Sequence, residues 1–426
     1  MKRIRKLKHH PKPNPSNSMT IHVRKPNRRE KVGLYLFKKA ISRISKGHLS
    51  VTLPDNSVIE FGDIKRKPRG QMLVRNWNLF WRFIKDGEIG FGESYVDNDW
   101  DSKDMPQLLD FYIANMDILE NKKSMLIFFS NLFRLMTFKK FRNTRKRAKK
   151  NIEAHYDLGN DLFNTFLDKN LLYSCAIFQS PKDSLEKAQL NKIHILINKT
   201  GIRSGDKVLE IGSGWGGFAV EAVKKTGCHV TTITLSNEQY SNVKEKIKKL
   251  GLSNQVDVRL RDYRDMQGRF DKIISIEMLE AVGIEYYDIF FRQCEKLLAP
   301  NGTIGLQVIT MPDCRFDEYR RNVDWIQTYI FPGGILPSLH VLSEAMKNNS
   351  KFHIEHLENI GFHYTRTLRI WRERFMKNLE KLPGMGYDAT FQRIWMYYLS
   401  ICEAAFKNRI LNDLQIILTR QGNQTI

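Results

Sequence analysis

Residues 208–217 read VLEIGSGWGG, an apolar run delivered straight into Gly212, Gly214, Gly216 and Gly217, and this stretch constrains the fold more tightly than any other. Glycine accepts the left-handed backbone of a tight turn and lets the main chain come close to a neighbour or a ligand. A strand that ends in such a turn and reopens as a helix is the first half of a β–α–β unit. The chain from about residue 150 onward keeps that rhythm. Strand-length apolar runs at 207–211, 229–234, 256–260, 272–276 and 303–309 alternate with helix-length amphipathic runs at 217–225, 237–250 and 285–298. Residues 414–419 (LQIILT) read as a final strand. Such alternation predicts an α/β fold whose parallel sheet is covered on both faces.

Two ligands fit the turn. Gly212-x-Gly214-x-x-Gly217 matches the dinucleotide fingerprint, in which an acid about 20 residues on meets a ribose hydroxyl. Gly212-x-Gly214-x-Gly216 preceded by Glu210 resembles the S-adenosylmethionine loop of class I methyltransferases. The next strand separates them. It ends VTTITLSNEQ, with Thr234 and Ser236 where the dinucleotide acid belongs and Glu238 already inside the next helix. One strand further come Asp262, Tyr263, Arg264 and Asp265. An acid beside an aromatic suits an adenine, the carboxylate accepting from the amino group and the ring stacking. Together these features read as an adenosylmethionine site. The expected fold class is α/β, a class I methyltransferase Rossmann-like doubly wound sheet with a smaller α+β N-terminal domain.

Charge bears on the partner. Lys plus Arg number 69 against 46 Asp plus Glu, a net of +23. Residues 1–29 hold ten Lys/Arg and 139–150 (KKFRNTRKRAKK) hold eight, neither with an acid, so 18 of the 23 excess charges sit in two stretches. Such a field attracts polyanions, either nucleic acid or an anionic membrane. Residues 1–30 mix Pro, Asn, Ser and basic residues and read as a disordered arm. Residues 31–120 read as a small α+β domain, with strand-like 48–53 and 58–61 and helix-like 78–86 and 105–115. Residues 121–150 join an apolar helix (KKSMLIFFSNLFRLMTF, 122–138) to the cation run. That helix is too short to span a bilayer, but the pair can lie in a membrane interface, each cation contributing ~1 kcal/mol near an anionic surface. Residues 151–426 form the α/β domain. No run of about 18 uncharged apolar residues appears and no apolar core follows the basic N-terminus, so neither a spanning helix nor a secretory leader is expected. The cysteines at 175, 228, 294, 314 and 402 form no C-x-x-C pair and fit a reducing compartment. A nucleic-acid partner is disfavoured, because the basic excess lies away from the glycine turn.

From 154 to 420 the chain resembles the cyclopropane-fatty-acyl-phospholipid synthases and their mycolic-acid-modifying relatives. The carriers, in order, are His155-Tyr156-Asp157 before Gly159-Asn160-Asp161, Leu172-Tyr173-Ser174-Cys175-Ala176, Lys187-Ala188-Gln189 and the glycine turn. After them come Thr234-Leu235-Ser236 with Glu238-Gln239, Asp262-Tyr263-Arg264-Asp265, Met278-Leu279-Glu280-Ala281-Val282-Gly283 and Tyr329-Ile330-Phe331-Pro332-Gly333-Gly334. Trp371-Arg372-Glu373-Arg374-Phe375 and Tyr397-Tyr398-Leu399 close the series. Phe91-Gly92-Glu93-Ser94-Tyr95 and Asp99-Trp100-Asp101 resemble the N-terminal domain of the phospholipid-acting members.

The resemblance implies transfer of a methylene from S-adenosylmethionine to the cis double bond of an acyl chain in a membrane phospholipid. A carbocation forms, bound bicarbonate takes a proton, and a cyclopropane ring closes. It places Cys175, Glu280 and Tyr329 in the bicarbonate cradle, with Ile309 contributing its backbone. Gln307 stands where the family commonly has His; it keeps hydrogen bonding but does not titrate. For the cofactor it implies Tyr173, Ser174, Glu210, Gly212, Gly214, Gly216, Thr234, Leu235, Gln239, Asp262, Tyr263 and Arg264. No metal is implied, and His155 and Tyr156 are candidates to close over the cofactor. A branched methyl or methylene product without ring closure stays open, as does a homodimer. The expected setting is cytoplasmic, peripheral to the inner face of the cell membrane.

Overall fold

The computed structural model describes residues 24–120 and 158–424. They fall into two compact units. The first comprises 24–120 with two later pieces of chain, Asn322–Ile330 and Leu379–Asn408. The second comprises 158–321, Phe331–Asn378 and 409–424. The expected unbroken α/β domain over 151–426 is corrected by those two pieces. The polybasic segment, the apolar run at 122–138, His155 and Tyr156 lie outside the described residues. Among the described residues, no helix is long and apolar enough to cross a membrane.

The expected disordered arm over 1–30 is also corrected at its end, where a helix spans Arg28–Ile41. Asn27 caps it: the Asn27 side chain accepts from the Glu30 N–H at 3.0 Å, and the Glu30 carboxylate accepts from the Asn27 N–H at 2.7 Å. This reciprocal box satisfies two N–H groups that a helix start leaves unpaired. In the first unit β1 (His48–Thr52), β2 (Val58–Gly62), β3 (Arg69–Val74) and β4 (Trp100–Asp101) form a sheet of order β2-β1-β3-β4. Helices Asn78–Val96 and Met105–Ala114 complete its α+β character, the former kinked at Gly87 with φ 58°. Helix Ala389–Lys407 joins this unit through polar ties. Asp110 accepts from Asn408 at 3.0 Å and pairs with Lys407, and Arg393 donates to the Tyr95 carbonyl at 2.6 Å.

The second unit holds β5 (Lys207–Ile211), β6 (His229–Thr234), β7 (Val256–Leu260), β8 (Phe270–Ile276), β9 (Leu298–Thr310), β10 (Phe352–Asn359) and β11 (Asn412–Arg420). Their order is β10-β11-β9-β8-β5-β6-β7. Neighbours from β7 to β9 are parallel, and β11 is antiparallel to both β9 and β10. Strand β10 is not among the expected strands. It reads FHIEHLEN, is mostly exposed and forms one edge, so no apolar run announces it. Elsewhere successive residues point to opposite buried faces: Val208 and Ile274 enter one core, Leu209 and Ile273 the other. The chain leaves β5 toward β6 and β7, then returns to β8 on the other side of β5. Ligands of open α/β sheets bind at that reversal, outside the carboxyl ends of the strands.

Candidate active site

The glycine turn occupies this place. Gly212 has φ +100°, a conformation L side chains rarely adopt, and the N–H groups of Gly212 and Ser213 both donate to the Ile233 carbonyl at 3.0 Å. Gly217 opens helix Gly217–Thr226, and a Cβ there would lie 2.6 Å from Leu172 Cδ2. The turn is thus seated between β6 and the 170–176 loop. Beneath it Glu210 is buried, accepting from Thr232 Oγ1 at 2.5 Å. Burial pushes its carboxyl up to about 8, against the opposing pull of the Thr232 hydrogen bond and of Lys192.

A cavity at the carboxyl edge is lined by the turn, by Tyr173 and Ser174, by Thr234, Leu235 and Gln239, and by Asp262, Tyr263 and Arg264. The structure therefore gathers every expected cofactor residue except Gly216, whose Cβ position would meet Val243 at 3.0 Å instead. Arg261, Ser213 and Met278 line it as well and were not expected. The Asp262 carboxylate is taken by Arg264, whose Nε and terminal nitrogen donate at 2.8 and 2.5 Å. The Tyr263 ring, part of the cavity lining, packs edge-on against Phe290 at 5.6 Å, and its hydroxyl is buried without a partner. Thr234 donates to Gln239 at 2.8 Å, which locks the second strand end. Trp215 donates to Asn160 at 2.6 Å, tying the 159–161 motif to the turn. A cavity walled by a glycine turn and three polar strand ends fits an adenosyl amino acid.

The residues assigned to chemistry follow β8 and β9. Cys175 is fully buried, its thiol 3.4 Å from the Ala176 carbonyl. Burial pushes that thiol well up, and the nearby Asp413 and Glu277 push the same way, so it is no nucleophile. Its backbone N–H donates to Glu277 Oε1 at 2.7 Å. Gln307 Nε2 donates to Glu277 at 2.8 Å and to Asp413 Oδ2 at 3.0 Å. Gln307 Oε1 in turn accepts from Gln415 at 3.2 Å. The Ile309 N–H donates to Glu280 Oε1 at 2.5 Å, while Glu280 Oε2 is buried without a hydrogen-bond partner. Burial, then the neighbouring Glu277, lift Glu280 to about 8. Burial followed by Glu277 and Glu280 lifts Asp413 well above the usual carboxylate range. Lys192 is fully buried and donates to Ser174 Oγ at 2.5 Å. Tyr329 falls in the first unit, where its hydroxyl donates to Glu93 at 2.5 Å.

Bicarbonate does not fit this donor set. The Ile309 N–H serves Glu280, the Gln307 amide serves Glu277 and Asp413, the Cys175 thiol faces a carbonyl, and Tyr329 serves Glu93. Glu277, Asp413, Lys192 and Tyr364, whose hydroxyl donates to Glu277 Oε2 at 2.7 Å, are the members the sequence reading missed. Glu277 carried a visible signal, an acid directly at the end of an apolar strand. Asp413 carried none, because it reaches the cluster by the register that sets it opposite Ile309.

The strand order and the glycine-lined cavity define a class I S-adenosylmethionine-dependent methyltransferase. A family described as mycolic acid cyclopropane synthetase matches residues 143–416, and the chain belongs to it. The chain is 37% identical over 353 residues to tuberculostearic acid methyltransferase UfaA1 of Mycobacterium tuberculosis, covering 80% of this chain and 81% of that protein. It is 34% identical over 349 residues to the cyclopropane-fatty-acyl-phospholipid synthase of Escherichia coli, covering 82% and 87%. Among solved structures, mycolic acid cyclopropane synthase CmaA1 complexed with SAH and CTAB superposes with a TM-score of 0.59 at 30% identity, over 64% of this chain and 98% of that one.

Proposed function

We propose that this enzyme transfers a one-carbon unit from S-adenosylmethionine to the cis double bond of unsaturated acyl chains in membrane phospholipids, closing a cyclopropane ring. The observation that carries the reading is the wall of the cofactor cavity after β8. It offers Met278, Ala281 and Val282 around the single acid Glu277, with the Cys175 thiol turned away and neutral. An alkene is a poor nucleophile and its alkylation leaves a cation, so the site must exclude water and reactive heteroatoms. When bound, the cofactor supplies an electrophilic methyl whose sulfur departs with the bonding pair. The chain's own residues do the remainder. The Gly212–Gly217 turn and the 234–239 and 261–264 strand ends hold and orient the donor, which supplies much of the rate for a weak nucleophile. The apolar wall keeps the cation dry.

A second reading, a branched methyl or methylene product without a ring, is favoured by the 37% identity to a tuberculostearic acid methyltransferase. For both readings the enzyme docks at an anionic membrane surface from the cytoplasmic side through the 122–150 segment, as a monomer or a homodimer. The deciding experiment incubates the full chain with unsaturated phospholipid vesicles and methyl-labelled S-adenosylmethionine, followed by mass spectrometry and NMR of the released acyl chains. A labelled ring supports the first reading, a labelled branch the second, and unlabelled lipid refutes both.

A further inference from the structure

Among the acids beyond the cofactor cavity, Glu277 differs from its neighbours in three ways. Its φ is +48°, a left-handed backbone for a residue that carries a Cβ. Such a conformation costs on the order of 1–3 kcal/mol and persists only where the surroundings over-determine it. Here three separate elements do so. The Cys175 N–H and the Gln307 amide donate to Oε1, at 2.7 and 2.8 Å, and the Tyr364 hydroxyl donates to Oε2 at 2.7 Å. Its own N–H donates to the Gln307 carbonyl at 2.7 Å. The second difference is place: Glu277 is the acid of the cluster that lines the cofactor cavity. The third is company. Glu280 and Asp413 are both pushed toward the protonated form, and buried Lys192, pulled down by that burial, has Glu277 as the first of the acids that oppose the fall.

We propose that the Glu277 carboxylate is this enzyme's own proton acceptor, standing where an external oxyanion would otherwise be required. The inference rests on the acyl-chain reading above. The balance of the step is simple. The alkylated chain carries one positive charge and loses one proton to a Glu277 oxygen. The proton leaves the new methyl, and the freed C–H pair becomes the ring bond to the cationic carbon; if a hydride first shifts to that carbon from the one that bears the methyl, loss of the same methyl proton gives a methylene branch instead. No oxidant or reductant enters. A proton next to a carbocation is strongly acidic, so a carboxylate suffices to take it, and the three hydrogen bonds that engage the Glu277 oxygens hold them back from capturing the cation as an ester. Gln307 then acts as a positioning residue. Its neutral amide holds Glu277 from one side and Asp413 from the other, and takes no proton for itself.

The test uses the full chain, unsaturated phospholipid vesicles and S-adenosylmethionine in carbon-dioxide-stripped buffer, with and without added bicarbonate. Wild-type turnover is expected to be the same in both, and bicarbonate is expected to leave the melting temperature unchanged, because a ligand of the native state would raise it. Glu277→Gln is expected to lose about 10²–10⁴-fold in turnover, the range for removing a general base, while calorimetry shows cofactor affinity retained. Wild-type turnover that appears only with bicarbonate overturns the proposal, and so does undiminished turnover by Glu277→Gln. The bicarbonate comparison involves no substitution, so it decides the matter even if Glu277→Gln folds poorly. Product absent from every wild-type arm overturns the acyl-chain reading and this inference with it.

Discussion

Replacing Glu210 by Gln should make the protein more stable, and increasingly so as the pH rises. Glu210 is 4% exposed, and burial lifts its carboxyl from an ordinary 4.5 to about 8. In the folded chain the group therefore keeps its proton to about pH 8, whereas in the unfolded chain it loses it near 4.5. The contribution of the protonated carboxyl is complete below about pH 4.5. It is lost progressively between 4.5 and 8, and the loss is constant above that. At about 1.4 kcal/mol for each tenfold change in the acidity constant, the full loss is on the order of 5 kcal/mol. Glutamine keeps an oxygen to accept from Thr232 and carries no proton to lose. The difference between variant and wild type is therefore small at pH 4 and grows toward that figure at pH 9. For a unit of this size 1 kcal/mol moves the melting temperature by roughly 2–4 °C, so the expected gap at pH 9 is roughly 10–20 °C. Scanning calorimetry of both proteins at pH 4, 6, 8 and 9 measures it. A gap that stays flat across that series refutes the placement of a neutral acid beneath the glycine turn.

Gly217→Ala should weaken cofactor binding and lower stability by about 1–3 kcal/mol, as overpacking does, because its methyl would sit 2.6 Å from Leu172; calorimetric titration with S-adenosylmethionine reads the first and thermal melting the second. Arg264→Met should cost about 3–5 kcal/mol by leaving Asp262 with an unpaired, nearly buried charge, and a double variant with Asp262→Asn should recover much of it in urea titrations. Iodoacetamide at pH 8 should label exposed Cys314 and spare Cys175, whose thiol is buried and neutral; peptide mapping that finds Cys175 alkylated in the folded protein contradicts the site described above. Changing Arg145, Lys146, Arg147, Lys149 and Lys150 to Gln should reduce sedimentation with anionic vesicles, most strongly at low salt where screening is least; unchanged sedimentation removes the docking proposal.

The sheet was legible because its strands are buried on both faces and so appear as continuous apolar runs, such as residues 208–211 and 272–276. The glycine turn was legible because only glycine serves there. The cofactor residues followed from being at the ends of those strands. What escaped were features whose meaning depends on non-local pairing. Strand β10 escaped because an edge strand with polar faces has no pattern to show. Asp413 escaped because nothing in its neighbourhood of sequence links it to Gln307, and only the β11–β9 register brings them together. Asp262 was given to a ligand because the sequence does not reveal that Arg264, two residues on, folds back to claim it. The cradle was assigned as a set of open donors, yet each donor is spent on a carboxylate or carbonyl of the chain itself.

The chain passes from one unit to the other five times, since Asn322–Ile330 and Leu379–Asn408 belong with the N-terminal portion. No single incision therefore yields two self-sufficient halves, and a gene fragment begun near residue 150 would encode helix Ala389–Lys407 stripped of the partners that hold Arg393 and Lys407.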